Sequence, residues 1–266
     1  MDADAPFDSH SRTQKEEVRA MFSRIADGYN TLKETNDRAS HERLLASAAP
    51  CPGEICLDLG AGPGFVSAMA AAAGAFTLAS DLTPGFLAKA GERARDAAHR
   101  RLACVAADAE VLPLPDACID LVISHKALHH FGNASRVLAE AARVLKPGGR
   151  IATSDTLSDD DVARAELHND VERVRDPSHV WMYGPAAIRA LHEAAGFTIE
   201  QVDSYGDTQP VEWWLAVANP PDDVRAEVLR LLRQSMTEGD SNGMGIHERD
   251  GALWFRRREA TVVARR

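Results

Sequence analysis

Between residues 55 and 154 the chain alternates two textures, and this alternation narrows the possible folds more than any other feature. Short apolar runs recur at Ile55–Leu59, Phe76–Ser80, Leu102–Ala106, Ile119–Ser124 and Arg150–Ser154. Helix-length segments over 65–73, 84–98 and 133–145 lie between them. Mostly apolar runs of this length suit strands covered on both faces, and the helices supply the crossovers that parallel strands need. Lys146-Pro147-Gly148-Gly149 is a stop-and-turn signal just before the fifth run. The pattern predicts an α/β fold built on a doubly wound, Rossmann-like parallel sheet. Polar or acidic residues close the first four runs, with Asp58, Asp81, Asp108 and His125 at or beside their ends. One such residue is an ordinary strand-ending turn; four together mark the carboxyl edge, where open α/β sheets bind ligands.

The rest of the chain decorates this unit. Its 266 residues suit one domain with additions, and 45% apolar residues supply a core that excludes disorder for most of the length. Forty acids against thirty bases give a net charge of -10, which disfavours nucleic-acid binding. The four cysteines (Cys51, Cys56, Cys104 and Cys118) contain no C-x-x-C pair, which argues against a zinc ribbon and a disulfide scaffold. The longest apolar stretch, 65–76, is too short to span a bilayer, and the acidic N-terminus lacks a hydrophobic signal region. A cytoplasmic protein without membrane contact is expected, as monomer or homodimer. Helical spacing over 13–48 predicts two helices interrupted near Asp27-Gly28. Beyond the fifth run, helices are expected over 158–174, 185–195 and within 211–237, a strand over 197–205, a loop over 238–250 and a last strand over 261–264. The Arg256-Arg257-Arg258 run reads as a solvated strand edge or as a site for an acidic partner.

The stretch Asp58-Leu59-Gly60-Ala61-Gly62-Pro63-Gly64-Phe65 lies between a strand and a helix. Its glycines permit a tight turn and close approach to a ligand. A dinucleotide loop has the form G-x-G-x-x-G, yet its last position here is Phe65. Asp58 would repel a pyrophosphate but can accept hydrogen bonds from an ammonium group. The ligand should therefore carry an amine near the loop, a ribose further out and little negative charge; S-adenosylmethionine (SAM) fits. Asp81 is placed to accept from both ribose hydroxyls and Asp108 from the adenine amine, with Leu82 and Ala109 flanking the base.

These blocks resemble a known family. DLGAGPG, the acidic residue of SDLTPGFLAKA, the segment ADAEVLPLPDACIDLVISHKALHHF and RVLKPGG are similar to the motifs of class I SAM-dependent methyltransferases, and within them of UbiE-like small-molecule enzymes. The resemblance covers roughly 22–205 and implies a seven-stranded sheet with an antiparallel last strand. It implies SAM as cofactor, held by Asp58, Gly60, Ala61, Gly62, Asp81, Asp108 and Ala109, with His125 beside them. Residues 1–50 would form a helical cap and 51–266 the methyltransferase domain, with 157–196 and 208–250 as substrate-side insertions. The segment from Phe22 to Tyr29 resembles one that covers the cofactor in UbiE-like members, so Tyr29 either closes over the methionine end or is a core aromatic.

Methyl transfer from a sulfonium needs in-line positioning, and a base only if the nucleophile must lose a proton. The resemblance to family O-methyltransferases implies His129 as that base, oriented by Asp155; alternatively, the His129-His130 pair only packs. Lys126 binds an acidic substrate group or reaches solvent. Lys126, His130, Trp181 and Tyr183 are the expected substrate contacts, and His168, His179, Met182, Trp213 and Trp214 are further lining candidates. No metal is expected, because no third ligand joins the histidines at regular spacing. The acceptor is expected to be a small molecule. SAM cyclisation, cleavage or rearrangement, and a non-catalytic SAM-binding role, remain the alternatives.

Overall fold

A computed structural model describes residues 13–24, 37–96 and 101–266. The interruption expected near Asp27-Gly28 and the side chain of Tyr29 lie outside the described residues. In chain order the elements are α1 (13–24), α2 (Arg38–Ala48), β1 (Ile55–Leu59), α3 (Phe65–Ala72), β2 (Phe76–Asp81), α4 (Pro84–Asp96) and β3 (Leu102–Ala106). Next come β4 (Ile119–His125), α5 (Ala134–Val144), β5 (Leu145–Thr156), α6 (Val162–Arg175), α7 (Pro185–Ala194) and β6 (Thr198–Pro210). The chain closes with α8 (Val211–Ala218), α9 (Asp222–Thr237), β7 (His247–Arg249) and β8 (Ala252–Arg265).

The strands form one sheet in the order β3-β2-β1-β4-β5-β8-β6, with β7 paired to β8 off this path. The pairs from β3 through β5 are parallel, whereas β8 runs antiparallel between β5 and β6. The antiparallel last strand is present, and the short β7 is an addition within the stretch read as a loop. β8 also starts at Ala252, well before the expected Thr261, because Ala252–Arg258 pairs with β6 and β7 outside the central core.

Period-two alternation divides the core between the two faces. Cys56, Leu121, Ala152 and Val263 face Leu44 of α2 and Val66 of α3. Their neighbours Leu57, Val122, Ile151 and Val262 face α5 and Ile188 of α7. A register shift between Ile119 and Leu121 puts those two residues on opposite faces despite their spacing. Helix α5 starts where Asn133 Oδ1 accepts the Arg136 N–H at 3.0 Å, and buries Val137, Leu138, Ala141 and Val144 along one stripe. A second core joins Val171 of α6, Trp214 and Leu215 of α8, Val228 and Leu232 of α9, and Phe255 of β8. This second core sits beside the carboxyl end of β5 and carries the helices expected within 211–237.

No helix among the described residues is long and apolar enough to cross a membrane. Leu121 is fully buried at the centre of the α2–α3 face. Leu121→Ala is expected to destabilise the fold by about 3 kcal/mol, the usual cost of a core leucine truncation. Urea denaturation measures this; a loss below about 1 kcal/mol would contradict the packing described.

Candidate active site

The sheet order reverses between β1 and β4, and the loops leaving these strands meet there. Gly60 has φ +65°, and a Cβ on it would lie 2.6 Å from Ala127 Cβ, so only glycine lets the two loops approach this closely. Gly64 has φ +81°, and its missing Cβ would sit 2.7 Å from Ala90 Cβ on α4. Between them the Ala61 N–H donates to Ser80 O at 3.0 Å, and the Gly62 N–H donates to Asp81 Oδ2 at 2.8 Å. The Thr83 N–H donates to Asp81 Oδ1 at 2.7 Å. Asp81 thereby holds both the glycine loop and the start of α4, and burial still pushes its carboxyl above the ordinary range.

A cavity of about 1050 Å³ opens over this loop. Asp58, Gly60, Ala61 and Gly62 line it, as do Asp81, Leu82, Asp108, Ala109 and His125. Apart from Tyr29, all the expected cofactor residues therefore share one wall system. Asp58 is 1% exposed and accepts from Ser67 Oγ at 2.5 Å. Burial pushes its carboxyl up to about 7 against the pull of the Ser67 hydrogen bond. Such a group gains a partner when a cation arrives, which fits an ammonium at this position. Asp108 differs from its expected surroundings, because Lys15 Nζ of α1 lies 2.7 Å from its Oδ2 and 2.9 Å from Glu110 Oε2. Gln14, Lys15, Val18 and Phe22 place α1 along the cavity, so this helix covers the site.

The catalytic candidates follow β4. In the 3-10 turn Leu128–His130, His129 Nδ1 lies 2.5 Å from Asp155 Oδ1, and the His129 N–H donates to Asp155 Oδ2 at 3.2 Å. Burial raises the Asp155 carboxyl, but the adjacent His129 outweighs it and holds the group below the usual range. The ionised carboxylate only accepts, so Nδ1 carries a proton and donates, and in the neutral imidazole Nε2 is then the acceptor. His129 lines a second cavity of about 650 Å³, whose walls share Phe22, Lys126 and His130 with the first. Burial presses His130 towards the neutral form.

Three expected substrate contacts are corrected. Lys126 Nζ lies 2.7 Å from both Asp37 Oδ1 and Glu259 Oε1, with 6% of the side chain exposed, so its charge is neither in solvent nor available to an acidic substrate. Trp181 lies outside the lining of both cavities, its ring beneath the Arg173 guanidinium. Tyr183 also lies outside both, packed against the main core. Among the further lining candidates, Met182, Trp213 and Trp214 line the second cavity. His168 is buried outside it, and His179 is turned to Asn169 Oδ1 at 2.7 Å.

The sequence reading missed an ion cluster between the cavities. Arg257, expected at a solvated edge, is 9% exposed and pairs with Asp37, Asp207 and Glu259 at 3.2, 2.9 and 3.2 Å. Ser40 Oγ donates to Glu259 Oε2 at 2.8 Å and lies 2.9 Å from His125 Nε2, so the imidazole donates to it and presents the Nε2–H tautomer. An Arg-Arg-Arg-Glu run carries no periodic signal that singles out its buried member.

A family model described as a methyltransferase domain matches residues 57–153. The crystal structure of the YcgJ protein from Bacillus subtilis has the same fold, with a TM-score of 0.79, 22% identity, and coverage of 86% of this chain and 98% of that one. The 27-O-demethylrifamycin SV methyltransferase of Amycolatopsis mediterranei is 31% identical over 221 residues, 78% of this chain and 76% of that protein. The chain belongs to the class I SAM-dependent methyltransferases. Membership implies SAM use, and the donor set above the glycine loop fits that cation. This methyltransferase spans about half the length of several curated relatives it matches. Among them is the ubiquinone/menaquinone C-methyltransferase UbiE of Acidiphilium cryptum, 35% identical over 143 residues, 52% of this chain and 57% of that protein.

The raised carboxyl of Asp58 makes a prediction about pH. The folded methyltransferase keeps this proton up to about pH 7, whereas the unfolded chain releases it near 3.8. The native state binds more protons in that window, so stability falls as pH rises through it, by at most about 4 kcal/mol. Asp58→Asn should flatten this part of the profile in urea titrations of the ligand-free protein. Parallel profiles for the two proteins would show that Asp58 ionises normally.

Proposed function

We propose that this chain transfers the methyl group of SAM to a hydroxyl oxygen of a small molecule, with His129 as the general base. The carrying observation is the Asp155–His129 pair, which engages Nδ1 and so makes Nε2 the acceptor of the neutral ring, in a residue that lines the second cavity. SAM supplies an electrophilic methyl carbon whose bond to sulfur breaks as the new bond forms. The loop Gly60–Gly62 and Asp81 hold the cofactor, with Asp58 receiving its ammonium. His129 Nε2 takes the hydroxyl proton as the oxygen attacks, and Asp155 stabilises the resulting imidazolium. Helix α1 lines both cavities through Phe22, and Lys126 of the ion cluster stands on the wall of each. The second cavity, beside His129, receives the small acceptor, with 1–50 acting as the cap and 157–196 and 208–250 as the substrate-side insertions. The rifamycin relative, named for an O-demethylated compound, supports an oxygen nucleophile.

Incubation with SAM and a panel of phenols, alcohols, amines and carboxylic acids is expected to yield S-adenosylhomocysteine with the hydroxyl compounds. Methylthioadenosine instead would indicate cleavage or cyclisation, and no turnover would indicate a binding protein. His129→Ala should lower kcat by about 10²–10⁴-fold and leave SAM affinity unchanged; unaltered turnover would remove the base from the mechanism. Asp81→Ala should weaken SAM binding by about 2 kcal/mol, roughly thirtyfold, in a calorimetric titration. Undiminished affinity would contradict its cofactor role.

A further inference from the structure

Helix α1 turns one stripe of residues to the cofactor cavity. Gln14, Lys15, Val18 and Phe22 line it at helical spacing, while Glu16, Glu17, Ala20 and Ser23 on the other side are exposed. A helix this short is marginal on its own, so docking keeps it ordered. Several of its docking contacts end on walls of the same cavity. Arg19 Nε donates to Leu82 O at 3.2 Å, and Phe22 packs against the rings of Phe86 and His130, with centroids 5.4 and 5.0 Å apart. Gln14 Nε2 donates to His130 O at 3.2 Å and to Ser178 O at 2.9 Å. Leu82, Phe86 and His130 all line that cavity.

Lys15 makes the charged contact. Its Nζ lies 2.7 Å from Asp108 Oδ2 and 2.9 Å from Glu110 Oε2. Both partners are set in place by the body of the domain: the Glu110 N–H donates to Asp108 Oδ1 at 3.0 Å, and Glu110 Oε1 accepts the Asn133 N–H at 3.1 Å. Two carboxylates within reach of one ammonium repel each other unless a cation sits between them. Burial would lower the Lys15 ammonium, yet Asp108 and Glu110 hold it above its ordinary value. The pair is only partly shielded, with 23% of the Lys15 side chain and 33% of that of Asp108 exposed, so dissolved salt reaches it. Each Asp108 oxygen accepts one hydrogen bond and has room for a second, so Lys15 and an adenine amine can share this carboxylate.

We propose that Lys15 retains the cofactor: its ammonium latches α1 over the first cavity, and the cofactor leaves when that ammonium parts from Asp108 and Glu110. This rests on the cofactor reading of the first cavity and adds the residue that sets how long the cofactor stays. Lys15 is a positioning residue, acting through Asp108 and through the docking of α1. Phe22 lines the second cavity too, so the same closure completes the acceptor site.

The test follows release of radiolabelled S-adenosylhomocysteine from the full chain, chased with the unlabelled compound and read by rapid filtration. Lys15→Met keeps the apolar stem and removes the charge. It should release the label about tenfold faster, as loss of a charge-assisted contact provides. Wild-type release should accelerate several-fold between about 0.05 and 0.5 M NaCl as screening grows, whereas release from Lys15→Met should hardly change. Lys15→Arg restores the charge, so it should stay within about threefold of wild type and regain the salt response. Hydrogen exchange of the ligand-free proteins should be faster in Lys15→Met over 13–24 and unaltered in the central strands. Wild-type release rates in Lys15→Met, an equal salt response in the two proteins, no rescue by Lys15→Arg, or unaltered exchange over 13–24 would overturn the proposal. Any of these together with saturable binding rejects the latch alone. A wild-type chain that binds no S-adenosylhomocysteine rejects the cofactor reading and the latch with it.

Discussion

The close approach of Gly60 to Ala127 is the constraint on which the site depends. It joins the loop after β1 to the loop after β4 at the one place where the strand order turns back. Parallel strands with helical crossovers bring all their carboxyl ends to one edge, and the reversal parts the adjoining helices to leave a crevice. Asp58, Asp81, Asp108 and His125 meet in that crevice because four strands end there. A side chain at position 60 would force the loops apart and carry the glycine turn away from Asp81, which holds the Gly62 N–H.

A second element of order is electrostatic. Asp37 at the start of α2, Lys126 after β4, and Arg257 and Glu259 on β8 form a buried cluster of two carboxylates and two cations. Burial alone would raise Glu259, yet Lys126 and Arg257 hold it below its usual range. Removing one member of such a cluster leaves a charge stranded in a low dielectric, so each fixes the position of the others. The cluster stands between the cofactor cavity and the second cavity, touching the first through Asp37 and Lys126 and the second through Lys126 and Arg257. It therefore ties α2 and β8 to the end of β4, which carries His125 and leads into the turn that carries His129.

Much of this was legible in the sequence because strand ends and glycine turns are local signals. The runs Ile55–Leu59, Phe76–Ser80 and Ile119–Ser124, and the helices between the runs, appear close to their expected bounds. The His129–Asp155 contact was legible only through the resemblance, since 26 residues separate the partners. The fate of Lys126 was hidden, because a lysine after a strand looks alike whether it meets water or two carboxylates 89 and 133 residues away in the chain. Arg257 was misread for the same reason: charge runs signal solvent unless distant elements bring counter-charges. Trp181 and Tyr183 looked like pocket aromatics, but the turn before α7 directs them to Arg173 and to the core. Helix α1 was expected as a cap, and its Lys15 bridge to Asp108 and Glu110 is a tertiary contact that no spacing announces.

The central claim is that the crevice at the strand reversal selects a cationic nucleoside over phosphate-bearing ones. Competitive equilibrium dialysis of the ligand-free chain against radiolabelled SAM, with NAD or ATP as competitor, tests this most directly. The account predicts saturable binding of one SAM per chain that S-adenosylhomocysteine displaces and that NAD and ATP leave intact. Displacement of SAM by either phosphate-bearing nucleotide at comparable concentration, or no saturable SAM binding, would contradict it.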